Sequence, residues 1–128
     1  MGEPPWYDGM KGKVTTHVLD LGKGGPAVGM KVALYAEDSL VALASGVTNE
    51  DGRLDEPLLS VEAMQPGIYQ LIFYAGDYLR YQAEHNQVTQ TLSLWDQIPI
   101  RFTITDEQGN YHIPLLLSPG GYSTYRGS

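Results

Sequence analysis

Cysteine is absent from the 128-residue chain, which excludes disulfide cross-links, a thiolate nucleophile and zinc held by thiolates. Cations are scarce: eight Lys and Arg stand against fifteen Asp and Glu, for a net charge of -7. Such a surface repels polyphosphate and anionic bilayers at long range, so neither nucleic acid nor a membrane is expected as a partner. No apolar run approaches the ~20 residues of a membrane span, and the opening segment MGEPPWYDGMKGK lacks the continuous apolar stretch of a signal peptide. The expectation is a soluble, cytoplasmic protein, although a periplasmic chain stripped of its signal would read the same. The length suits one domain that buries roughly two-thirds of its unfolded surface.

What is present is strand-forming. Residues 1–13 carry Pro4, Pro5 and three glycines around Trp6 and Tyr7, and read as a flexible leader without a function. From Val14 to residue 128, short runs rich in Val, Ile, Tyr and Thr alternate with Gly, Pro, Asp and Asn, the pattern of one antiparallel all-β domain. The clearest strand covers 98–105, where Ile100, Phe102 and Ile104 oppose Arg101, Thr103 and Thr105. Met30, Val32 and Leu34 alternate with Lys31, Ala33 and Tyr35 in the same way, and 67–74 and 87–94 are further candidates. Turns are expected at Gly24-Gly25-Pro26, at Asn49-Glu50-Asp51-Gly52 and over 106–110. Residues 77–85 lack both alternation and breakers and are predicted as one short helix. About eight strands in so short a chain imply two packed sheets.

The three histidines are His17, His85 and His112. No pair has the i, i+2 or i, i+4 spacing that lets one element present two ligands, so a metal site is not expected. In Val14-Thr15-Thr16-His17-Val18, alternation puts Val14, Thr16 and Val18 on one face and Thr15, His17 and Leu19 on the other. His112 likewise opposes Tyr111, Ile113, Leu115 and Leu117. Taken singly, each is a solvated surface residue. Taken together, two outward imidazoles in apolar strands offer a general base that works near neutral pH. Arg53, just after the Asp51-Gly52 turn, is alone a loop charge; beside two imidazoles its guanidinium suits an anionic heterocycle. The chain stops at Tyr125-Arg126-Gly127-Ser128, which reads either as a closing edge strand or as a tail delivered to a site.

Thr15-Thr16-His17-Val18-Leu19-Asp20, Thr48-Asn49-Glu50-Asp51-Gly52-Arg53, the run from Tyr111 to Pro119 and the final Tyr122-Ser123-Thr124-Tyr125-Arg126-Gly127-Ser128 together resemble the 5-hydroxyisourate hydrolases of the transthyretin-related family. The likeness spans about residues 14 to 128, and the terminal Tyr-Arg-Gly-Ser is its most specific part, since it separates the hydrolases from the hormone carrier transthyretin. The resemblance implies a transthyretin-like β-sandwich of two four-stranded sheets with a short helix. It also implies a homotetramer with sites at the dimer-dimer interface, no cofactor, and 5-hydroxyisourate as the small-molecule substrate. It assigns catalysis to His17, Arg53, His112 and Ser128, and substrate binding to His17, Arg53, Tyr125 and Arg126. The implied reaction is ring opening by water to 2-oxo-4-hydroxy-4-carboxy-5-ureidoimidazoline, with one histidine as base and the other orienting a proton. Gly120, the stretch from Trp95 to Gln97 and the long leader depart from the family pattern. Two other readings compete: a non-catalytic carrier of a small aromatic ligand, and a generic sandwich that binds through Trp6, Trp95 and the tyrosines.

Overall fold

The computed structural model describes residues 12–86 and 94–127. The strands are β1 (Lys13–Thr15), β2 (Val18–Asp20), β3 (Gly25–Pro26), β4 (Lys31–Ala36), β5 (Ala44–Val47) and β6 (Gly67–Phe73). After the helix α1 (Ala75–Asn86) come β7 (Ile98–Ile104), β8 (Asn110–His112), β9 (Leu115–Ser118) and β10 (Gly121–Thr124). Two four-stranded sheets run in the orders β10-β9-β2-β3 and β5-β4-β6-β7, while β1 pairs with β8.

The ten strands reduce to eight continuous ones. β1 and β8 are parallel with Thr15 opposite His112, and β2 and β9 are parallel with Val18 opposite Leu115, so a single register runs through both pairs. The gap between them is bridged by Ile113 N–H donating to the Thr15 carbonyl and Leu115 N–H donating to the His17 carbonyl, each at 2.9 Å. Thr16, buried in the gap, donates its hydroxyl to the Ile113 carbonyl at 2.7 Å. This is the all-β sandwich of about eight strands and one helix that the sequence predicts.

Alternation fixes the core. Val14, Val18, Leu115 and Leu117 from one side meet Val32, Leu34, Leu71, Phe73, Ile98 and Ile104 from the other, all buried. Burial of this kind stabilises by roughly 1.5–3 kcal/mol per large aliphatic or aromatic side chain. The helix starts two residues earlier than the sequence suggests and ends one later. Gly76 reads as a breaker, yet its N–H donates to the Asp96 carbonyl at 2.7 Å, which satisfies one of the donors a helix start leaves open. Ala75, Tyr78 and Leu79 are buried, and the Tyr78 hydroxyl donates to Asp20 Oδ2 at 2.8 Å, tying helix to sheet.

Lys13 belongs to β1, opposite Asn110, and its N–H donates to the Gly109 carbonyl at 3.2 Å. Trp6, Tyr7 and residues 87–93 of the candidate strand at 87–94 lie outside the described residues, and Leu94 is not in a strand. Trp95 meets Tyr122 edge-on at 5.0 Å and packs against the core, so its apolar surface serves the fold. Among the described residues no helix is long and apolar enough to cross a membrane.

Candidate active site

The parallel pairing of β1 with β8 places His112 beside the outward row of β1 and β2. Lys13, Thr15 and His17 are each partly exposed on that row while Val14, Thr16 and Val18 point inward. The outward placement of both imidazoles agrees with the alternation in the sequence. Thr15 Oγ1 lies 2.9 Å from His112 Nδ1, a contact between residues 97 positions apart.

The turn before Arg53 supplies the third side. Asn49 Oδ1 accepts from the Asp51 N–H at 2.9 Å and the Arg53 N–H at 3.2 Å, the Asn49 N–H donates to the Arg53 carbonyl, and Gly52 N–H donates to the Asn49 carbonyl. Gly52 has φ of 77°, a left-handed conformation that favours glycine. The Gly52 carbonyl accepts from the Val18 N–H at 2.8 Å, and His17 bridges to Arg53. His17 Nε2 stands 2.8 Å from the Asp51 carbonyl oxygen. A carbonyl only accepts, so Nε2 carries the proton and Nδ1 is the basic nitrogen of neutral His17.

The C-terminal tail supplies the fourth. β10 pairs antiparallel with β9, and the same register carried onward sets Gly127 against His112, with Gly127 N–H donating to the His112 carbonyl at 2.7 Å. Pro114 interrupts this ladder because it has no N–H, and the Thr124 hydroxyl donates to the Pro114 carbonyl at 2.7 Å instead. A Cβ on Gly127 would fall 2.4 Å from His112 Cδ2, so the tail backbone lies directly against the imidazole.

Between these elements lies an open cleft of about 380 Å³ lined by Lys13, Thr15, Thr16, Arg53, Leu54, Asn110 and His112. The His112 pKa is lowered from its ordinary 6.5, chiefly by burial and further by the positive charges of Arg53, a protonated His17 and Lys13. His112 is therefore neutral and basic at neutral pH. Arg53 and His112 line the cleft, whereas His17 flanks it, within electrostatic reach of His112.

Arg126 sits at the Asn110 end, where Nη2 donates to the Asn110 carbonyl at 3.2 Å and the guanidinium lies 4.7 Å over the Tyr111 ring. The Tyr125 side chain is exposed, and Ser128 lies outside the described residues. Gly120 occupies open space in a turn that the Ser118 hydroxyl closes onto the Gly121 carbonyl at 3.0 Å. His85 stands apart on the helix, stacked on Tyr81 at 3.8 Å. Among the described residues no three His, Asp or Glu side chains gather as a metal site would need. Sequence reading passed over Lys13, Thr15 and Asn110 as site residues; the signal for Lys13 and Thr15 is that they share alternation with His17.

The family described as HIUase/Transthyretin matches residues 14–127. The 5-hydroxyisourate hydrolase of Halalkalibacterium halodurans is 49% identical over 124 residues, covering 93% of this chain and all of that protein. That of Pseudomonas aeruginosa is 48% identical over 119 residues, covering 91% of this chain and 92% of that one. Among solved structures, Klebsiella pneumoniae 5-hydroxyisourate hydrolase superposes with a TM-score of 0.76 at 33% identity, covering 91% of this chain and 99% of that one. A crystal structure of (S)-allantoin synthase superposes with a TM-score of 0.79 at 38% identity, covering 92% of this chain; the present chain spans 44% of that protein's length.

Proposed function

Because the chain belongs to the HIUase/transthyretin family, we propose that it hydrolyses 5-hydroxyisourate, opening the ring with water to give 2-oxo-4-hydroxy-4-carboxy-5-ureidoimidazoline. The observation that carries this reading is the strand pairing that puts neutral His112 and the Arg53 guanidinium on one cleft, with His17 beside them. Water attacks a ring carbonyl carbon, His112 takes its proton through Nε2, and the carbonyl oxygen becomes an oxyanion. The ring C–N bond then breaks, and the nitrogen leaves with a proton.

His112 has the roles of base and proton carrier because its neighbours keep it neutral, and positioned proton transfer of this kind contributes typically ~100- to 10,000-fold. Arg53 offsets the negative charge that grows on the attacked oxygen, a donor role worth about 3 kcal/mol in the transition state. His17, fixed by the Asp51 carbonyl, orients the water or the leaving nitrogen through Nδ1. Tyr125 and Arg126 bind the ring from the tail, and Ser128 holds a histidine or the water. The working form is a homotetramer in which a neighbouring subunit covers the cleft, as an open polar face becomes a pocket only when covered.

The test follows the ultraviolet decay of freshly generated 5-hydroxyisourate with the protein, without it, and with a chain lacking residues 125–128. The full chain should speed decay, and the truncated chain should lose most of the effect. Equal decay in all three samples would leave a ligand carrier as the better account. His17→Asn combined with His112→Asn should lower turnover ~100-fold or more while the fold persists.

A further inference from the structure

Lys13 is a cation of the cleft with no role in the proposed ring opening. It stands four residues before His17 on the same outward row, shares the cleft with Arg53 and His112, and its charge is felt at the His112 imidazole. No acidic side chain among the described residues lines this cleft, in a chain where acids outnumber cations fifteen to eight. Among the described residues no ion pair or hydrogen bond engages the Lys13 side chain, whereas Arg80 and Arg101 are paired with carboxylates. Two cations without a carboxylate partner among the described residues, in an otherwise acidic molecule, form the arrangement that holds an anion.

Ring opening supplies that anion. When water adds to a ring amide, a C–O bond forms, the C–N bond breaks, nitrogen keeps a proton, and the new carboxylic acid loses one at neutral pH. The product therefore carries a carboxylate where the substrate had a neutral carbonyl. We propose that Lys13 is a binding residue for this carboxylate and selects planar cyclic ureides that carry, or acquire, negative charge at that end of the cleft.

This rests on the hydrolase reading, and the test separates the two. Orotate is a planar ureide with a carboxylate, and uracil is the same ring without it; each is added as a competitor while 5-hydroxyisourate decay is followed. Orotate should inhibit the wild type more strongly than uracil. Lys13→Gln should weaken orotate inhibition about tenfold, the size of one hydrogen bond to a charged group, and leave uracil inhibition unchanged. Lys13→Arg should restore orotate inhibition, and the KM for 5-hydroxyisourate, neutral at that position, should change less than the orotate constant in Lys13→Gln. The inference is overturned by orotate inhibiting no better than uracil, or by an orotate constant that Lys13→Gln leaves unmoved. A variant that has lost its circular dichroism spectrum is replaced by Lys13→Met, judged on the same ratio. Wild type inert toward 5-hydroxyisourate would sink the hydrolase reading itself, whereas an active wild type with an unmoved ratio would sink only the role of Lys13.

Discussion

His112 carries two measurable consequences at the scale of one residue. Burial is the largest cause of its lowered pKa, and the charges of Arg53, His17 and Lys13 add to it, since each cation disfavours a second one on the ring. A depressed imidazole stays neutral as pH falls past 6.5, so the acid limb of kcat/KM should lie below 6.5. Arg53→Leu removes a repelling charge, and an NMR titration of His112 in that variant should show its pKa moved up toward the ordinary value while staying below it. An unmoved or lowered pKa would contradict the assigned cause. Thr15 acts through the same ring, because its hydroxyl lies on Nδ1 and leaves Nε2 for the base role proposed above. Thr15→Val keeps the shape and removes the hydroxyl, and should lower kcat about tenfold with KM little changed, as expected for one lost hydrogen bond. Thr15→Ser should recover most of that loss, which a purely steric role for the threonine methyl would not allow.

Elements, not single side chains, decide where the two histidines meet. The outward faces of His17 and His112 were legible, because period-two alternation is written locally in Val14-Thr15-Thr16-His17-Val18 and in Tyr111-His112-Ile113. Their proximity was not legible from the pattern, because it depends on a parallel register between segments 97 positions apart, which no local periodicity encodes. For the same reason Lys13 looked like part of a Gly- and Pro-rich leader, although pairing with Asn110 makes it the first residue of β1. Two glycines make the elements fit. Gly127→Ala would put a methyl 2.4 Å from His112 Cδ2, so the tail or the ring must shift, and kcat should fall ~10-fold or more with the melting temperature nearly unchanged. Gly52→Ala meets both an unfavourable φ of 77° and the Val18 carbonyl oxygen at 2.4 Å, so it should cost about 1–3 kcal/mol of stability in urea denaturation as well as activity. Equal loss of stability in the two variants would mean that the tail is part of the fold rather than an arm laid on the site.

For the whole molecule, the sandwich accounts for placement and leaves the cleft open on one side. Arg53 is exposed in the single chain, and an exposed guanidinium acts through water, where its attraction for a developing oxyanion is several-fold weaker than in a covered site. The stabilisation assigned to it therefore requires that something exclude solvent, and another copy of the chain satisfies this without any new component. The homotetramer proposed above then predicts a link between assembly and rate. Sedimentation velocity should give the mass of four chains at micromolar concentration. On dilution to the range where smaller species appear, turnover per chain should fall in step with the fraction of tetramer, because an uncovered cleft keeps its residues and loses its low-dielectric surroundings. Added excess of His112→Asn chains should recover part of that activity by re-forming mixed tetramers in which the active cleft is again covered. Full turnover from a species with the mass of one chain would refute the covering role, and Arg53 would then have to act at the strength of a solvated charge.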